Sequence, residues 1–558
     1  MVRIKETTIE ATFLLIFVGI MFWISIADTW GHKIQHPFPY SYLASDTFQH
    51  QTRAQWIKDA GNYRYEAPYY SAGLTDVVGF YPPILNHLSV LLSYSSGLEV
   101  YDTILFLTFI FTIIGMLILY TILREWNINI ALLSLPLTAY IFTILETRRA
   151  LFWGHWSALL GDFFFVAIAW ILFNFEKKYS AIFLGILLSA TILGHTAATV
   201  FALLFIIVFT VTSLITHHFN RVHLKRIIIA LIITLAISAY FLTLFKQSWM
   251  IIYPFTFSIE TDWTSGGSLV QLKHFGTITL IIMALGFRTL LFSRQPVLNN
   301  TPKEEKGKFF QTLFVIFSLL AGLTNYVGFT IRAFNFRFYW PITLSPLFGI
   351  ALHKILKSFC EKTKLIGTAI LSLLITILLI KINYQPTGAI NGLMNQYTWQ
   401  TLAWIRDNTP QDSKPLFFYG DAYDQDGSLG NTQRINARTE IDELKKTLEK
   451  GAFERNYSVK YLIEAGAGLP YKKGPLSYGL HSIENNITNK KMADLCNFNY
   501  YIFDTWGKNP QLVKLNNLIR RNLTGHNFTK VFENKLSIVL KNPTPGGACL
   551  GTNNNITL

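Results

Sequence analysis

The chain has 558 residues, of which 51% are hydrophobic and only 15% charged. Soluble domains carry about 25% charged residues, so this composition excludes an ordinary soluble protein. The formal net charge of +15 does not signal nucleic acid, because the basic residues form no single stripe. They recur in short clusters between apolar runs, as in the cytoplasmic loops of membrane proteins.

Crossing the hydrocarbon core takes about 20 apolar residues. In chain order, spans are predicted at 11–27, 101–123, 128–145, 157–175, 180–195, 197–216, 227–245, 275–293, 309–330, 338–356 and 365–382. The first also reads as a signal peptide. It lacks a small-x-small cleavage site, which favours an uncleaved anchor. With the N-terminus inside, the inner segments hold Arg3, Lys5, Arg124, Lys177, Lys178, Arg221, Lys225, Arg226, Arg294, Lys303, Lys306, Lys308, Lys354, Lys357, Lys362 and Lys364. The short outer loops are poorer in basic residues, which supports N-inside. An odd number of spans then puts the C-terminus outside, in a cell membrane or, as the runner-up, that of the endoplasmic reticulum.

The expected fold class is a polytopic α-helical membrane domain of about eleven transmembrane helices over 1–383, followed by a small soluble α/β domain over 384–558. A long first outer loop, 28–100, is rich in Tyr, Pro, His and Asp. In the tail, a helix-like stretch runs from Trp399 to Asn408. Strand signals follow at Leu416–Tyr419, Tyr500–Phe503 and Leu536–Leu540. Glycosylation sequons stand at Asn456, Asn486, Asn522, Asn527 and Asn555, all in the tail; Asn299 alone lies elsewhere. They fit a tail exposed to a glycosylating compartment. Cys496 and Cys549 share that tail, where an oxidising environment would let them pair, while Cys360 is expected at a cytoplasmic helix end.

Ionisable groups near the bilayer are costly and need a reason to be there. Asp46, His50, Glu146, Arg148, Arg149, His155, Asp162, His195, Arg332 and Arg337 all fall toward the outer level. Gathered there, they would face a lipid whose phosphate lies at that interface. Arginine suits phosphate because its planar fork donates two hydrogen bonds at once. For Arg332 and Arg337 the structural alternative is an aromatic belt with snorkelling arginines. For Arg148 and Arg149 it is pairing with Glu146 or Asp162. Helical spacing puts Asp46, His50 and Arg53 on one face. An ionised Asp46 would serve as a general base; alternatively it caps a helix starting at Thr47.

At this motif the sequence resembles the GT-C glycosyltransferases, multi-span enzymes that take sugars from polyprenyl-phosphate carriers on the non-cytoplasmic face. The likeness rests on the first outer loop with Asp46 and His50, on Tyr81-Pro82-Pro83, on Leu193-Gly194-His195-Thr196 and on Arg337-Phe338-Tyr339-Trp340-Pro341. In the tail, Trp404-Ile405-Arg406-Asp407-Asn408-Thr409-Pro410 and Val531-Phe532-Glu533-Asn534 resemble the start and end of the α/β domain of several GT-C groups. The resemblance implies sugar transfer to a glycan, protein or lipid acceptor, with Asp46 as base and His50 beside it. Arg337, Arg332, Arg148, Arg149, His195 and His155 would hold the donor phosphate. The oligosaccharyltransferase branch reads its acceptor with a WWDYG motif, and only Phe503-Asp504-Thr505-Trp506-Gly507 stands here. Arg and His also replace the acids that branch places in its second outer loop. No cofactor is therefore required, although a divalent metal at Glu260 and Asp262 stays possible. A transporter for lipid-linked sugars and a non-catalytic, membrane-anchored assembly subunit are the competing readings. No internal repeat supports the transporter.

Overall fold

The computed structural model describes residues 2–27, 31, 33–61, 77–78, 81–216, 221–252, 270–292, 302–327, 333–384, 392–418, 426–439, 456–461, 469–473, 478–480, 490–505, 510–524 and 527–547. Arg332, Glu260, Asp262, Asn299, Asn486, Asn555 and Cys549 lie outside them.

Helix α1 (Val2–Ala27) is followed by a polar helix, α2 (Ser45–Ala60), in the first loop. Next come α3 (Ile84–Ser96), α4 (Val100–Trp126), α5 (Ile128–Thr138), α6 (Tyr140–Thr143) and α7 (Leu145–Phe152). The bundle continues with α8 (Trp156–Phe173), α9 (Ser180–Ile192), α10 (Thr196–Ile215), α11 (Arg221–Ile252), α12 (Thr277–Phe292) and α13 (Pro302–Leu323). It closes with α14 (Ala333–Arg337), α15 (Trp340–Thr343), α16 (Ser345–Ile355) and α17 (Lys357–Asn383).

Every predicted span coincides with a helix or a broken helix, but they are not eleven uniform crossings. Among the described residues seven helices are long and apolar enough to cross a membrane, and the bent run from Ile128 to Phe152 makes an eighth if it is taken as one span. Helix α9 has 13 residues, about 20 Å at 1.5 Å per residue, against about 30 Å of hydrocarbon. The 338–356 segment is broken because Pro341 and Pro346 each restart a helix at its first turn. The 128–145 segment contains Pro136 and turns by 60° before α7.

Two glycines let helices meet backbone to backbone. A Cβ on Gly286 of α12 would sit 1.8 Å from the Leu347 carbonyl of α16, and one on Gly349 would sit 2.0 Å from Ser134 Oγ of α5. At the end away from the tail, Glu10 of α1 accepts from Tyr120 (2.8 Å) and from Arg124 Nη2 (2.9 Å) of α4. Arg124, expected as a loop charge, is thus half of an interhelical ion pair.

The tail forms α18 (Gln396–Asn408), a short α19 (Asp426–Leu429), α20 (Pro510–Thr524) and all the strands but one, β1 (Val77–Val78), which lies in the first loop. The others are β2 (Pro415–Phe418), β3 (Ala437–Thr439), β4 (Asn456–Tyr461), β5 (Leu469–Lys473), β6 (Tyr478–Leu480), β7 (Lys490–Asp494), β8 (Tyr500–Asp504), β9 (Thr529–Glu533) and β10 (Ser537–Lys541). A seven-stranded mixed sheet runs β7-β4-β3-β2-β8-β10-β9. Both partners of central β2, β3 and β8, are parallel to it. Strand alternation divides the core. Leu416, Phe418, Tyr501 and Phe503 pack with Leu515 and Ile519 of α20. Phe417, Tyr500, Ile502 and Val539 join Leu402 and Ile405 of α18 in the core shared with the bundle. The chain is therefore a polytopic helical membrane part carrying a small α/β domain.

That domain is tied to the first loop. Gln51 donates to Asn431 (2.7 Å), Gln433 donates to Asp59 (3.0 Å), and the Leu393 N–H donates to the Tyr42 carbonyl (2.7 Å). Strand β1 pairs with β5 through Val77↔Pro470 and Val78↔Leu469. Cys496 is disulfide-bonded, and Cys360 is a buried free thiol.

Candidate functional site

Helix α2 starts two residues earlier than the capping alternative requires. Ala44 is its N-cap, so Asp46 sits inside the first turn, where the helix dipole favours negative charge. Asp46 is exposed, whereas His50 and Arg53 turn inward and are 5% and 6% exposed. The predicted shared face is therefore split by burial.

A turn from the second loop abuts Asp46. The Leu43 N–H donates to the Phe152 carbonyl at 3.0 Å. Gly154 adopts φ +82°, and a Cβ there would lie 2.7 Å from the Thr47 nitrogen and 3.1 Å from Asp46 Cβ. Only glycine accommodates both demands. His50 secures the same turn through a hydrogen bond with the Gly154 backbone. Its ring packs on Tyr81 (5.2 Å) and Trp156 (5.9 Å). Burial, reinforced by Arg53, pushes the His50 pKa down to about 3. The imidazole is thus enclosed and held neutral beside the turn. Arg53 lies over the Tyr81 ring at 5.3 Å.

The next residue, His155, is half-buried and stacks on Phe338 with ring centres 5.2 Å apart. The turn thus brings Asp46, His155 and the 337–340 segment to one end of the bundle. Arg149, half-buried on α7, lies over Trp153 at 5.3 Å, and Glu146 pairs with His274 at 4.0 Å. Arg148 is 3% exposed and lies over both Phe152 and Tyr384 at 5.4 Å.

Two expected phosphate ligands are engaged within the protein. Arg337 is 0% exposed. Its Nε donates to the Gly322 carbonyl (2.5 Å), its Nη1 to the Val270 carbonyl (3.1 Å) and its Nη2 to Asn325. Tyr326 and Trp340 flank the guanidinium at 4.9 and 5.6 Å. This is a clamp on three carbonyl-type oxygens. His195 is 6% exposed and caps α10, its Nδ1 accepting from the Ala198 N–H at 3.4 Å. A Cβ on Gly161 would lie 2.8 Å from His195 Cβ, so this histidine locks α8 to α10. Asp162 is buried beside Tyr339, away from solvent.

In the tail, Asp504 is 1% exposed and accepts from Thr398 (3.0 Å) and Ser537 (2.8 Å), which gives it a structural place. Asn527 is exposed in a turn at φ +68°, Asn456 lies in β4 and Asn522 in α20. Among the described residues no three metal-ligating side chains cluster.

Sequence reasoning missed the network that anchors this loop. His36 Nδ1 and backbone N–H bind the two oxygens of Asp102 at 2.8 and 2.9 Å. Tyr101 donates to the His36 carbonyl and Tyr42 to the Tyr101 carbonyl, each at 2.8 Å. The pair is separated by 66 residues, so no local spacing reveals it.

No protein-family model matches the chain, and no curated protein matches it in sequence. Solved structures do. ArnT from Cupriavidus metallidurans bound to undecaprenyl phosphate superposes with TM-score 0.52 at 10% identity, over 95% of this chain and 97% of that one. The chain has the GT-C fold. The GT-C arabinofuranosyltransferase AftD from Mycobacteria gives TM-score 0.55 at 11% identity, over 95% of this chain and 40% of its own. The archaeal oligosaccharyltransferase AglB from Archaeoglobus fulgidus, in complex with an inhibitory peptide and a dolichol-phosphate, gives 0.50 at 14% identity, over 76% of this chain. The match spans 64% of that GT-C protein's length.

Proposed function

We propose that the chain is a membrane glycosyltransferase that moves a sugar from a polyprenyl-phosphate donor to an acceptor hydroxyl or amide, with Asp46 as general base. The observation that carries this reading is an exposed carboxylate in the first turn of α2, pressed against the Gly154 turn that leads directly into His155. The GT-C fold, shared with proteins bound to undecaprenyl phosphate and dolichol-phosphate, supports the donor class.

Asp46 accepts the acceptor proton as the acceptor atom bonds to the sugar C1. The C1–O bond to phosphate breaks, and the polyprenyl phosphate leaves with the electron pair. Leaving-group charge is the main demand, met best by fixed cations. Arg149 and His155, both half-buried on the segment anchored beside Asp46, are proposed for this task, with Arg148 behind them. We place this end of the bundle on the extracytoplasmic side. The lysine-rich segments at the opposite end and the sequons of the tail support that orientation.

The test is transfer from a panel of radiolabelled polyprenyl-phosphate sugars by purified protein. Asp46→Asn is expected to lower the rate by about 100-fold or more while leaving the melting temperature unchanged. Full activity in that variant removes Asp46 from the mechanism. The internal engagement of Arg337 and His195 favours a second reading, a non-catalytic anchoring subunit. That reading requires wild-type protein to neither turn over nor retain any donor in the panel.

A further inference from the structure

We propose that the gap between α1 and α17 is a binding site for an acyl chain of an anionic phospholipid in the leaflet remote from Asp46. The cavity measures about 520 Å³ and is lined by Thr8, Ile9, Thr12, Phe13, Ile366, Ala369, Ile370 and their neighbours. It is apolar but for two threonine side chains, so an alkyl chain is the chemistry it accepts. Both walls are membrane-spanning helices, and α17 is the least buried of the seven spans, at 22%. An occupant therefore enters sideways from the bilayer.

Depth selects the leaflet. From Ile366 to Leu373 is about 10 Å of helix at 1.5 Å per residue. Half of a hydrocarbon core of about 30 Å is about 15 Å. The groove thus fits within one leaflet. The part of α1 between Ile16 and Ala27 adds about 16 Å before the loop that leads to Asp46. The break in α17 sets the mouth. Lys364 adopts φ +56°, outside helical geometry, and turns the Lys357–Thr363 stretch away from the span.

Charge at the mouth selects the headgroup. Lys362 and Lys364 are exposed there. Of the acids on the two walls at this level, Glu10 is paired with Arg124 and Glu361 with Lys357 (3.9 Å), leaving Glu6 exposed, while Glu125 stands on α4 beside Arg124. The balance is positive and suits a phosphate without a compensating ammonium.

Native mass spectrometry of the full chain with equimolar dioleoyl phosphatidylglycerol and dioleoyl phosphatidylcholine tests this. Wild type is expected to retain phosphatidylglycerol over phosphatidylcholine by about fivefold. Ile370→Trp and Ile16→Trp fill the groove from positions 54% and 46% exposed, which spares the core. Either should lower retained lipid to about a third or less. The double variant K362Q/K364Q should keep the lipid and lose the preference. Equal retention by wild type and both tryptophan variants overturns the site, and equal retention of the two lipids by wild type overturns the anionic headgroup. Displacement of phosphatidylglycerol by added undecaprenyl phosphate, lost in Ile370→Trp, would assign the groove to the isoprenoid and overturn the phospholipid.

Discussion

Arg337 illustrates why a cation at a membrane face need not meet a lipid phosphate. Its fork is spent on Gly322, Val270 and Asn325, and the two carbonyls would be orphaned without it. Lysine keeps the charge and loses the fork. Arg337→Lys is therefore expected to cost about 2–3 kcal/mol of stability, read as a lower melting temperature, with the donor KM unchanged. A raised KM at unchanged stability would restore the phosphate role. His50 carries a pH signature. Its pKa is 6.5 when unfolded and about 3 when folded. Between those values the unfolded chain holds more protons, so the contribution is complete above 6.5 and is lost as pH falls toward 3. A melting curve measured from pH 7 to 4 should decline, and His50→Gln should flatten that decline. Equal slopes would refute burial of a neutral ring.

At the scale of elements, the Gly154 turn is where two loops become one surface. Gly154→Ala meets both a positive φ and the Thr47 nitrogen at 2.7 Å. It is expected to cost more than about 1 kcal/mol locally and to cut transfer with little change in helical content by circular dichroism. Wild-type rates would show that the turn does not place Asp46. Most elements were legible because their signals are local: long apolar runs for the spans, and short continuous apolar runs for β2 and β8. The breaks at Pro341 and Pro346 were also in view, but the apolar run 338–356 outweighed them. Partnerships were not legible. Arg337 finds Val270 across 67 positions, and His36 finds Asp102 across 66. Neither span shows in any window. Asp46 stands out by its type and its loop, whereas the glycine beside it carries no chemistry to draw notice.

For the whole molecule, the α/β domain and the bundle share one core and grip α2 from both ends. Gln51 is 1% exposed, so Asn431→Ala strands its amide. The expected loss is about 1–3 kcal/mol, seen as faster amide hydrogen exchange across α2. Exchange unchanged in α2 would mean that the domain merely rests on the loop. The Gln51–Asn431 bond joins positions 380 residues apart. During synthesis at roughly 5–20 residues per second, the earlier partner waits roughly 20–80 s for the later one. A nascent chain thus inserts its helices long before it can complete the surface around Asp46, and a ribosome that stops short of the tail leaves behind a membrane-embedded product in which Gln51 has lost its partner.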